Sequence, residues 1–397
     1  MTSSIHSDIK NTVKVSGRRY EQSPFYDCYA NDQTVLGVVA ERYYAVFNGE
    51  DPVETYWNLR RNVVLYDVPE KPWQIEGPDA MAFMERIFAR NISTLKEGRG
   101  LYAIACTHDG GTFMDGILFR MADDVFWYVQ PDGHFLPWVM ALSEGYDVHI
   151  SDPKGRVLQI QGPKSLEVMS ALSNGAINDE LKYFQSGYYD IKGQRLYVSR
   201  TGWTGELGYE IYTVDVDTSI DKRTDHHKLF NDIIEAGKGH GLVYGSMASM
   251  EIRRLEAGIL DNITDFDHTM TPFAAGLGPF IHADKTGFVG CEALQSADKR
   301  VRLLGVTCST ATPGYGANVL ENGKSVGHIT AATWSPTLQC GIGYVRFDEV
   351  GDWIDKTVTL SDEDGKLVEG TVVALPFYDK EKKIPRGLDK NIPSIRT

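Results

Sequence analysis

The sequence predicts an α+β fold that ends in a small β-barrel, and three observations lead to this prediction. Helical and β-prone segments alternate over most of the 397-residue chain. A short motif, in which a strand runs into Gly-Pro and then into a helix, occurs twice. From Arg302 onward, β-prone segments are separated by turn sequences such as Asn322-Gly323 and Asp364-Gly365, which is typical of a barrel or a sandwich.

The repeated strand-Gly-Pro-helix motif lies at 73–79 and again at 157–164. Repetition of one local pattern indicates two related αβ halves. Both ends of the chain are polar, so we expect them to lie outside the core. The sequence therefore predicts four parts, which are a flexible arm at 1–20, an αβ unit at 21–300, a β-barrel at 301–380 and a polar tail at 381–397.

The composition excludes several classes of function. The formal net charge of −14 argues against a general nucleic-acid binder and against a protein that binds anionic membranes. No apolar run approaches the length of about 20 residues that a membrane-spanning helix needs. The five cysteines are scattered without a CxxC pair, and the N-terminal residues lack the apolar core of a secretory signal. We therefore expect reduced thiols and a cytoplasmic protein.

The region 20–66 is rich in aromatic residues. Within this region, Asp51-Pro52 predicts the start of a helix, and a strand is predicted after it at 62–68. The aromatic side chains either fill a core or line a pocket for an onium cation, since each ring attracts a cation by about 0.5–2 kcal/mol. In the second case, we expect Tyr43 and Tyr44 to contact the substrate.

A hairpin is predicted at 101–121, with the turn at Asp109-Gly110-Gly111, because these residues tolerate positive φ. Asp115 lies at the start of its second strand, inside an apolar run. A buried carboxylate needs a partner or a ligand, because an unpaired buried charge is costly. We interpret Asp115 as the centre of a binding site; the alternative is a structural role as a turn cap or as a member of an ion pair.

The Gly-rich segment at 201–212, TGWTGELGYEIY, leads into an alternating strand. Its glycines allow a ligand to approach the backbone, and Trp203 could stack on a flat ring. Glu206 and Glu210 could each accept two adjacent N–H donors, such as an aminopyrimidine offers. The alternative is a hairpin with an exposed glutamate. Further elements are predicted as strands at 125–130, 146–151 and 194–200 and as helices at 80–89, 135–144, 225–237 and 241–259.

Several common catalytic patterns are absent from the sequence. It has no P-loop, no HExxH, no GxSxG and no strand followed by GxGxxG, so a nucleotide site lacks its usual support. The histidines have no metal-ligand spacing, and we expect no metal site. Arg253-Arg254, in the last predicted helix, either face a site or are solvated.

Five segments together resemble the glycine-cleavage T-protein (aminomethyltransferase) family. They are VVLYDV (63–68), GGTFMDGILF (110–119), TGWTGELGYEIY (201–212), RLEAG (254–258) and WSPTLQCGIGYV (334–345). The resemblance extends from about residue 50 to 378. It implies a ring of three subdomains around a central folate cavity, a C-terminal β-barrel, and tetrahydrofolate as the cofactor.

The resemblance also implies roles for single residues. Asp115 matches the family aspartate that faces the N5/N10 edge of the folate, and it is the expected catalytic residue. Glu210 matches the acid that holds the pterin ring. The remaining matches to positions that line the folate cavity are Tyr102, Gln130, Trp203 and Arg254.

Within the family, the segments at 52–80 and 265–273 are most similar to tetrahydrofolate-dependent demethylases such as dimethylsulfoniopropionate demethylase. Pro69-Glu70 stand where the T-protein pattern has Ser-His, and Ser249-Met250-Glu251 stand where it has Ala-Arg-Asp. The sequence therefore predicts transfer of a methyl group from a small donor, either a sulfonium or betaine or an aryl methyl ether, to N5 of tetrahydrofolate. The alternatives are an aminomethyltransferase of a glycine-cleavage-type system and a non-catalytic folate-binding protein. The oligomeric state stays open.

Overall fold

A computed structural model describes residues 19–213, 223–282, 284–389 and 391. The predicted N-terminal arm lies outside these residues, apart from its last two positions, and so does most of the tail after 389. No helix in the described part of the chain is long and apolar enough to cross a membrane. All five cysteines are free thiols.

The strands form a two-stranded hairpin, two open sheets and a closed barrel. In chain order they are β1 (Val35–Val39), β2 (Arg42–Phe47), β3 (Val63–Val68), β4 (Lys71–Glu76), β5 (Arg99–Cys106), β6 (Thr112–Ala122), β7 (Val125–Gln130), β8 (His149–Ser151), β9 (Val157–Gln161), β10 (Ser186–Ile191), β11 (Gln194–Ser199), β12 (Gly208–Tyr212), β13 (Leu242–Tyr244), β14 (Leu303–Cys308), β15 (Asn318–Glu321), β16 (Lys324–Ser335), β17 (Cys340–Phe347), β18 (Thr357–Ser361) and β19 (Leu367–Val373).

One open sheet has the order β10-β11-β12-β9-β3-β13, and the other has the order β5-β6-β7-β4-β8. The closed barrel has the order β14-β17-β16-β15-β18-β19. The hairpin β1-β2 is the first pair of strands along the chain, and it lies in the part of the aromatic-rich region before Asp51, where no strand is predicted from the sequence. The α+β fold with a C-terminal barrel is thus confirmed.

Eight α-helices lie in the described part of the chain, and most of them cover the outer faces of the two open sheets. They are α1 (Tyr26–Tyr29), α2 (Pro52–Arg61), α3 (Ala80–Ile87), α4 (Phe135–Leu142), α5 (Ser165–Leu172), α6 (His226–Gly237), α7 (Met247–Glu256) and α8 (Cys291–Ser296). Helix α2 begins as predicted, because the Asp51 carboxylate accepts from the backbone N–H groups of Val53 and Glu54. Asp225 caps α6 in the same way, through the N–H of Lys228.

The helix predicted at 241–259 is wrong in its first part. Residues Leu242–Tyr244 form β13, which pairs in parallel with β3 at the edge of the six-stranded sheet. Helix α7 starts only after Ser246, whose hydroxyl accepts from the N–H of Ala248. Pairing with β3 supplies backbone partners that an isolated helical turn lacks, so the tertiary contact overrides the local helical pattern.

The two Gly-Pro motifs have the same local geometry. Gly77 has φ 134° and Gly162 has φ 125°. A Cβ atom at either position would lie 2.4 Å from a backbone oxygen, that of Asp147 or that of Asn62 respectively. Only glycine fits such a turn. The helices α3 and α5 follow these turns, as the repeat in the sequence predicts.

The inner faces of the two open sheets pack against each other. Phe119 and Trp127 of the five-stranded sheet contact Tyr197 and Tyr212 of the six-stranded sheet, with ring centroids 5.4–6.1 Å apart. Because side chains alternate along a strand, the other faces carry the apolar residues that pack on the helices. Polar side chains on the inner faces are therefore enclosed between the sheets, and this is where the site lies.

The barrel is joined to the rest of the protein through α7. Glu256, at the end of α7, is fully buried and accepts hydrogen bonds from Ser335 Oγ at 2.6 Å and from Tyr56 Oη at 2.8 Å. Arg60 and Arg253 lie 3.7 and 3.6 Å from its Oε2. A buried carboxylate with these partners fixes the barrel against α2 and α7, since leaving it unpaired would be costly.

Candidate functional site

Asp115 lies on β6, where it pairs with Ile104 of β5, and it is 6% exposed. Tyr102 Oη donates to Asp115 Oδ2 at 2.7 Å, and Asn262 Nδ2 donates to Oδ1 at 3.1 Å. Tyr102 is a diagonal neighbour on β5, whereas Asn262 belongs to the loop after α7. These two donors hold the carboxylate plane in one orientation.

The carboxylate of Asp115 has no cationic partner among the described residues. Burial raises the pKa of Asp115 to about 6, while the hydrogen bonds from Tyr102 and Asn262 lower it. These contacts are neither those of a turn cap nor those of an ion pair. Above pH 6 the site therefore contains a buried negative charge. A ligand atom that is cationic, or that becomes positive during a reaction, would stabilise this charge.

Replacing Tyr102 with phenylalanine removes one of these two donors. Since the Tyr102 hydrogen bond lowers the pKa of Asp115, that pKa should rise above about 6 in the Tyr102→Phe variant. If the charged form is the active one, the acid limb of the pH–rate profile should shift to higher pH, and the rate at pH 7 should fall by about 3–10-fold. An unchanged acid limb in steady-state kinetics would contradict this assignment.

Glu210 lies on β12 in the inner face of the six-stranded sheet and is 5% exposed. Thr201 Oγ1 and Tyr212 Oη each donate to its Oε2 at 2.5 Å, and Gln159 Nε2 donates to its Oε1 at 3.0 Å. Burial raises the pKa of Glu210, and the hydroxyl donors lower it. The alternative of an exposed hairpin glutamate is therefore wrong.

The other glutamate of the Gly-rich segment, Glu206, has different partners. Arg253 Nε lies 2.7 Å and Arg60 Nε 2.8 Å from its Oε1. Glu206 is thus neutralised by two buried guanidinium groups. Within the described residues, Glu210 forms no salt bridge, so it is the glutamate that remains available to N–H groups of a ligand.

Trp203 and Arg254 stack on each other, with the guanidinium carbon 5.0 Å from the ring centroid. The N–H of Trp203 donates to Gln159 Oε1 at 3.4 Å, which places the Trp203 backbone beside Glu210. Arg254 is buried, pairs with Asp265 at 2.9 Å and forms a second ion pair with Glu251. Arg253 and Arg254 are therefore not solvated, and the Arg254 guanidinium lies against the Trp203 ring.

Gln130 is the last residue of β7 and its amide has partners within the protein. Trp73 Nε1 donates to Gln130 Oε1 at 2.5 Å, and Gln130 Nε2 donates to the carbonyl of Gly133 at 2.7 Å. Strand alternation places it on the face opposite to Val129, which packs in the central cluster. The structure does not bring this amide into contact with Asp115.

Tyr43 and Tyr44 point to opposite faces of β2, since they are consecutive in a strand. Tyr43 makes an edge contact with Tyr20 at 5.6 Å. Burial, together with the charges of Asp261, Glu251 and Asp132, raises the pKa of Tyr44 to about 12. The acidic groups act on Tyr44, on one face of β2. Tyr43 lies on the opposite face, so Tyr43 and Tyr44 do not line the same pocket.

Sequence reasoning missed three residues of the site. Asn262, which donates to Asp115, lies 147 positions away in the chain, and no local signal marks it. Gln159, which contacts Glu210, gave a signal as a polar residue inside the apolar strand β9. Glu70 follows β3 and accepts from Gln159 Nε2 at 3.3 Å. It was noted only as a departure from the family pattern.

Comparisons with known proteins agree with this geometry. The GCVT N-terminal domain family matches residues 31–285, and the glycine cleavage T-protein C-terminal barrel domain family matches residues 301–379. An aminomethyltransferase of Halothermothrix orenii is 30% identical over 336 residues, which cover 82% of this chain and 91% of the relative. An aminomethyltransferase of a Geobacillus species is 30% identical over 380 residues, which cover 88% of this chain and 99% of the relative.

The fold comparison gives the same result. The crystal structure of the glycine cleavage system aminomethyltransferase T from Bartonella henselae superposes with a TM-score of 0.78 at 23% identity, covering 91% of this chain and 98% of that one. Its similarity therefore extends over both open sheets and the barrel. With both domains matched and 30% identity to the relatives, the chain belongs to the glycine-cleavage T-protein (aminomethyltransferase) family, whose enzymes use tetrahydrofolate.

Proposed function

We propose that this protein transfers a one-carbon group from a small donor to N5 of tetrahydrofolate, with Asp115 beside the accepting nitrogen. The observation that carries the proposal is the buried carboxylate of Asp115, which Tyr102 and Asn262 orient and which no cation neutralises among the described residues. Glu210 offers a second buried carboxylate without a cationic partner among the described residues, and this carboxylate would bind the pterin ring of the folate.

The residues present fit a reduced pterin. The aminopyrimidine part of that ring offers two adjacent N–H donors, and a carboxylate can accept both at once. Each oxygen of a carboxylate has two acceptor positions, so Glu210 Oε1, which accepts only from Gln159, retains one for a ring N–H group, whereas Oε2 already accepts from Thr201, Tyr212 and Ser199. Trp203, fixed by Arg254 and Gln159, supplies a flat apolar surface next to it.

The chemistry follows from the charge of Asp115. When bound, tetrahydrofolate supplies the nucleophilic nitrogen, which becomes more positive as it bonds to the carbon. A carboxylate fixed beside that nitrogen stabilises the positive charge, and it does so more strongly in a buried site than in water. Tyr102 and Asn262 keep the Asp115 oxygens in place, so no reorientation is needed during the reaction.

For the donor, the names of the relatives support an aminomethyl group, since the Halothermothrix and Geobacillus proteins are called aminomethyltransferases. This is the donor that we propose first. The expected products are 5,10-methylenetetrahydrofolate, in which the carbon bridges N5 and N10, ammonia from the aminomethyl group, and the carrier with its free thiol.

A methyl donor is the second candidate, and specific residues favour it. Glu70 and Met250 stand at positions where the family pattern that we compared has histidine and arginine. In addition, the charges of Asp261 and Asp132 act on Tyr44, and they would favour a cationic sulfonium or betaine donor there. Transfer from such a donor needs no general acid, because the leaving group departs neutral. An aryl methyl ether would require one.

The two donors give different folate products, so one assay separates them. The purified protein is incubated with tetrahydrofolate and, in separate reactions, with an aminomethylated lipoyl carrier protein, methylated sulfonium and ammonium compounds, and methoxyarenes. Formation of 5,10-methylenetetrahydrofolate with the carrier supports the first candidate. Formation of 5-methyltetrahydrofolate with a small donor supports the second. Folate binding without either product would indicate a non-catalytic folate-binding protein and overturn the proposal.

A further inference from the structure

We infer that Glu70 is a second pterin-recognition residue, which donates a hydrogen bond from its protonated carboxyl group to the ring carbonyl next to the N–H groups held by Glu210. This inference rests on the proposed folate site and assigns it a specificity-determining residue. Glu70 is half-buried in the short connection between β3 and β4.

The geometry joins the two glutamates through one amide. Gln159 Nε2 donates to Glu210 Oε1 at 3.0 Å and to Glu70 Oε1 at 3.3 Å, and these two bonds use both hydrogens of the amide. Gln159 pairs directly with Glu210 across β9 and β12, and with Tyr66 of β3 on its other side. The Glu70 carboxyl group therefore lies beside Glu210 at the inner face of the sheet.

The two carboxyl groups differ in their remaining partners. Both oxygens of Glu210 accept hydrogen bonds. By contrast, Glu70 Oε2 is buried and has no hydrogen-bond partner in the described part of the chain. A buried polar atom without a partner costs free energy, so this oxygen is the atom of the pair that a ligand would complete.

Of the two carboxyl groups, Glu70 and Glu210, it is Glu70 that carries a proton at neutral pH. Four donors face Glu210, and hydrogen bonds to a carboxylate favour its charged form. Burial, together with the charge of Glu210, raises the pKa of Glu70 to about 8. At neutral pH, the pair thus consists of a carboxylate at Glu210 and an acid at Glu70.

Other charged and titratable groups around Glu70 do not reverse this assignment. Arg42 lowers the pKa of Glu70, but its Nη1 donates to the backbone carbonyl of Glu70, at 2.9 Å, and not to the carboxyl group. Asp67 raises that pKa. Tyr212, on β12, keeps its proton because burial and the charge of Glu210 raise its own pKa.

An acid beside a carboxylate matches the edge of the pterin ring. That edge presents two N–H donors followed by a carbonyl acceptor. The free acceptor position on Glu210 Oε1 takes an N–H group of this edge, and the O–H of Glu70 donates to the carbonyl. A charged Glu70 would instead repel the carbonyl oxygen and Glu210.

The test is the pH dependence of reduced-folate affinity. Isothermal titration calorimetry measures binding of 5-formyltetrahydrofolate to the wild-type protein, to Glu70→Gln and to Glu167→Gln between about pH 6.5 and about pH 9.5. Glu167 is an exposed carboxylate on α5 and serves as the matched control. For the wild type and the control, we expect folate affinity to fall by about tenfold per pH unit above about pH 8. The reason is that binding requires the proton on Glu70, which the free protein loses in this pH range.

Glu70→Gln keeps an N–H donor at every pH, so its affinity should stay within about threefold of wild type at pH 7 and should not fall at alkaline pH. A wild-type profile that is flat to about pH 9.5, or a variant that falls in parallel with the wild type, overturns the inference and leaves the folate site intact. If the variant does not fold, as circular dichroism would reveal, the wild-type profile still decides. If the wild type binds no reduced folate at any pH, the proposed function itself fails.

Discussion

Replacing Asp115 with asparagine is expected to reduce turnover by about 10²–10³-fold while the affinity for reduced folate stays within about threefold. The variant keeps the shape of the side chain. Tyr102 and Asn262 can turn their own hydroxyl and amide groups to suit it, so the local packing is retained. Only the negative charge beside the accepting nitrogen is lost. Steady-state kinetics at saturating folate and calorimetry with the same folate measure the two effects separately.

The stability of the Asp115→Asn variant gives an independent check. In the folded protein the pKa of Asp115 is raised to about 6 by burial, so the charged form is disfavoured relative to the unfolded chain. The charge therefore destabilises the fold as pH rises past the ordinary carboxyl range, and its removal should raise the melting temperature at pH 7. This difference should disappear at about pH 4, where the folded wild type is protonated as well.

Asp109→Asn is the control, because Asp109 is an exposed carboxylate in the turn of the same hairpin. It should retain wild-type turnover. If Asp115→Asn turns over as fast as this control, Asp115 has no role in the reaction. If it loses folate affinity and turnover to the same degree, Asp115 acts in binding alone.

Replacing Glu210 with glutamine is expected to weaken reduced-folate binding by about 10–100-fold, since hydrogen bonds to a charged acceptor contribute about 1.5–3 kcal/mol. The amide would also direct its own N–H group towards the N–H groups of the ring. Thr201 and Tyr212 can rotate their hydroxyl groups to suit the new side chain, so the fold should persist. Calorimetry with 5-formyltetrahydrofolate measures the loss of affinity.

The kinetic signature of Glu210→Gln should differ from that of Asp115→Asn. The KM for folate should rise, while kcat at saturating folate changes much less. Glu369→Gln, at an exposed position on β19 of the barrel, is the matched control and should leave both constants unchanged. Wild-type folate affinity in Glu210→Gln would show that the ring does not lie against β12, and the proposed orientation of the pterin would then be wrong.

Local signals in the sequence were sufficient for several parts of the site. Turn residues and apolar runs predicted the hairpin that contains Asp115. Alternation from Gly208 onward predicted the strand that contains Glu210. These predictions succeed because turn chemistry and side-chain alternation depend on neighbouring residues alone.

The hydrogen-bond and ion-pair partners of the buried carboxylates could not be predicted in this way. Glu206 and Glu210 are four positions apart in the same Gly-rich segment. Two arginines from α2 and α7 neutralise Glu206, whereas hydroxyl and amide groups of the sheet surround Glu210. Which carboxylate remains free for a ligand depends on helices that are distant in the chain.

The sequence by itself determined the α+β class, the C-terminal barrel, the membership in a folate-using family and the hairpin that carries Asp115. Only the tertiary structure decided that Asn262 orients Asp115, that Gln159 joins Glu210 to Glu70, and that residues 242–244 form a strand. The physical reason is that backbone pattern and turn chemistry are local properties. The charge state and hydrogen bonding of a buried side chain are instead set by whatever the folded chain places around it.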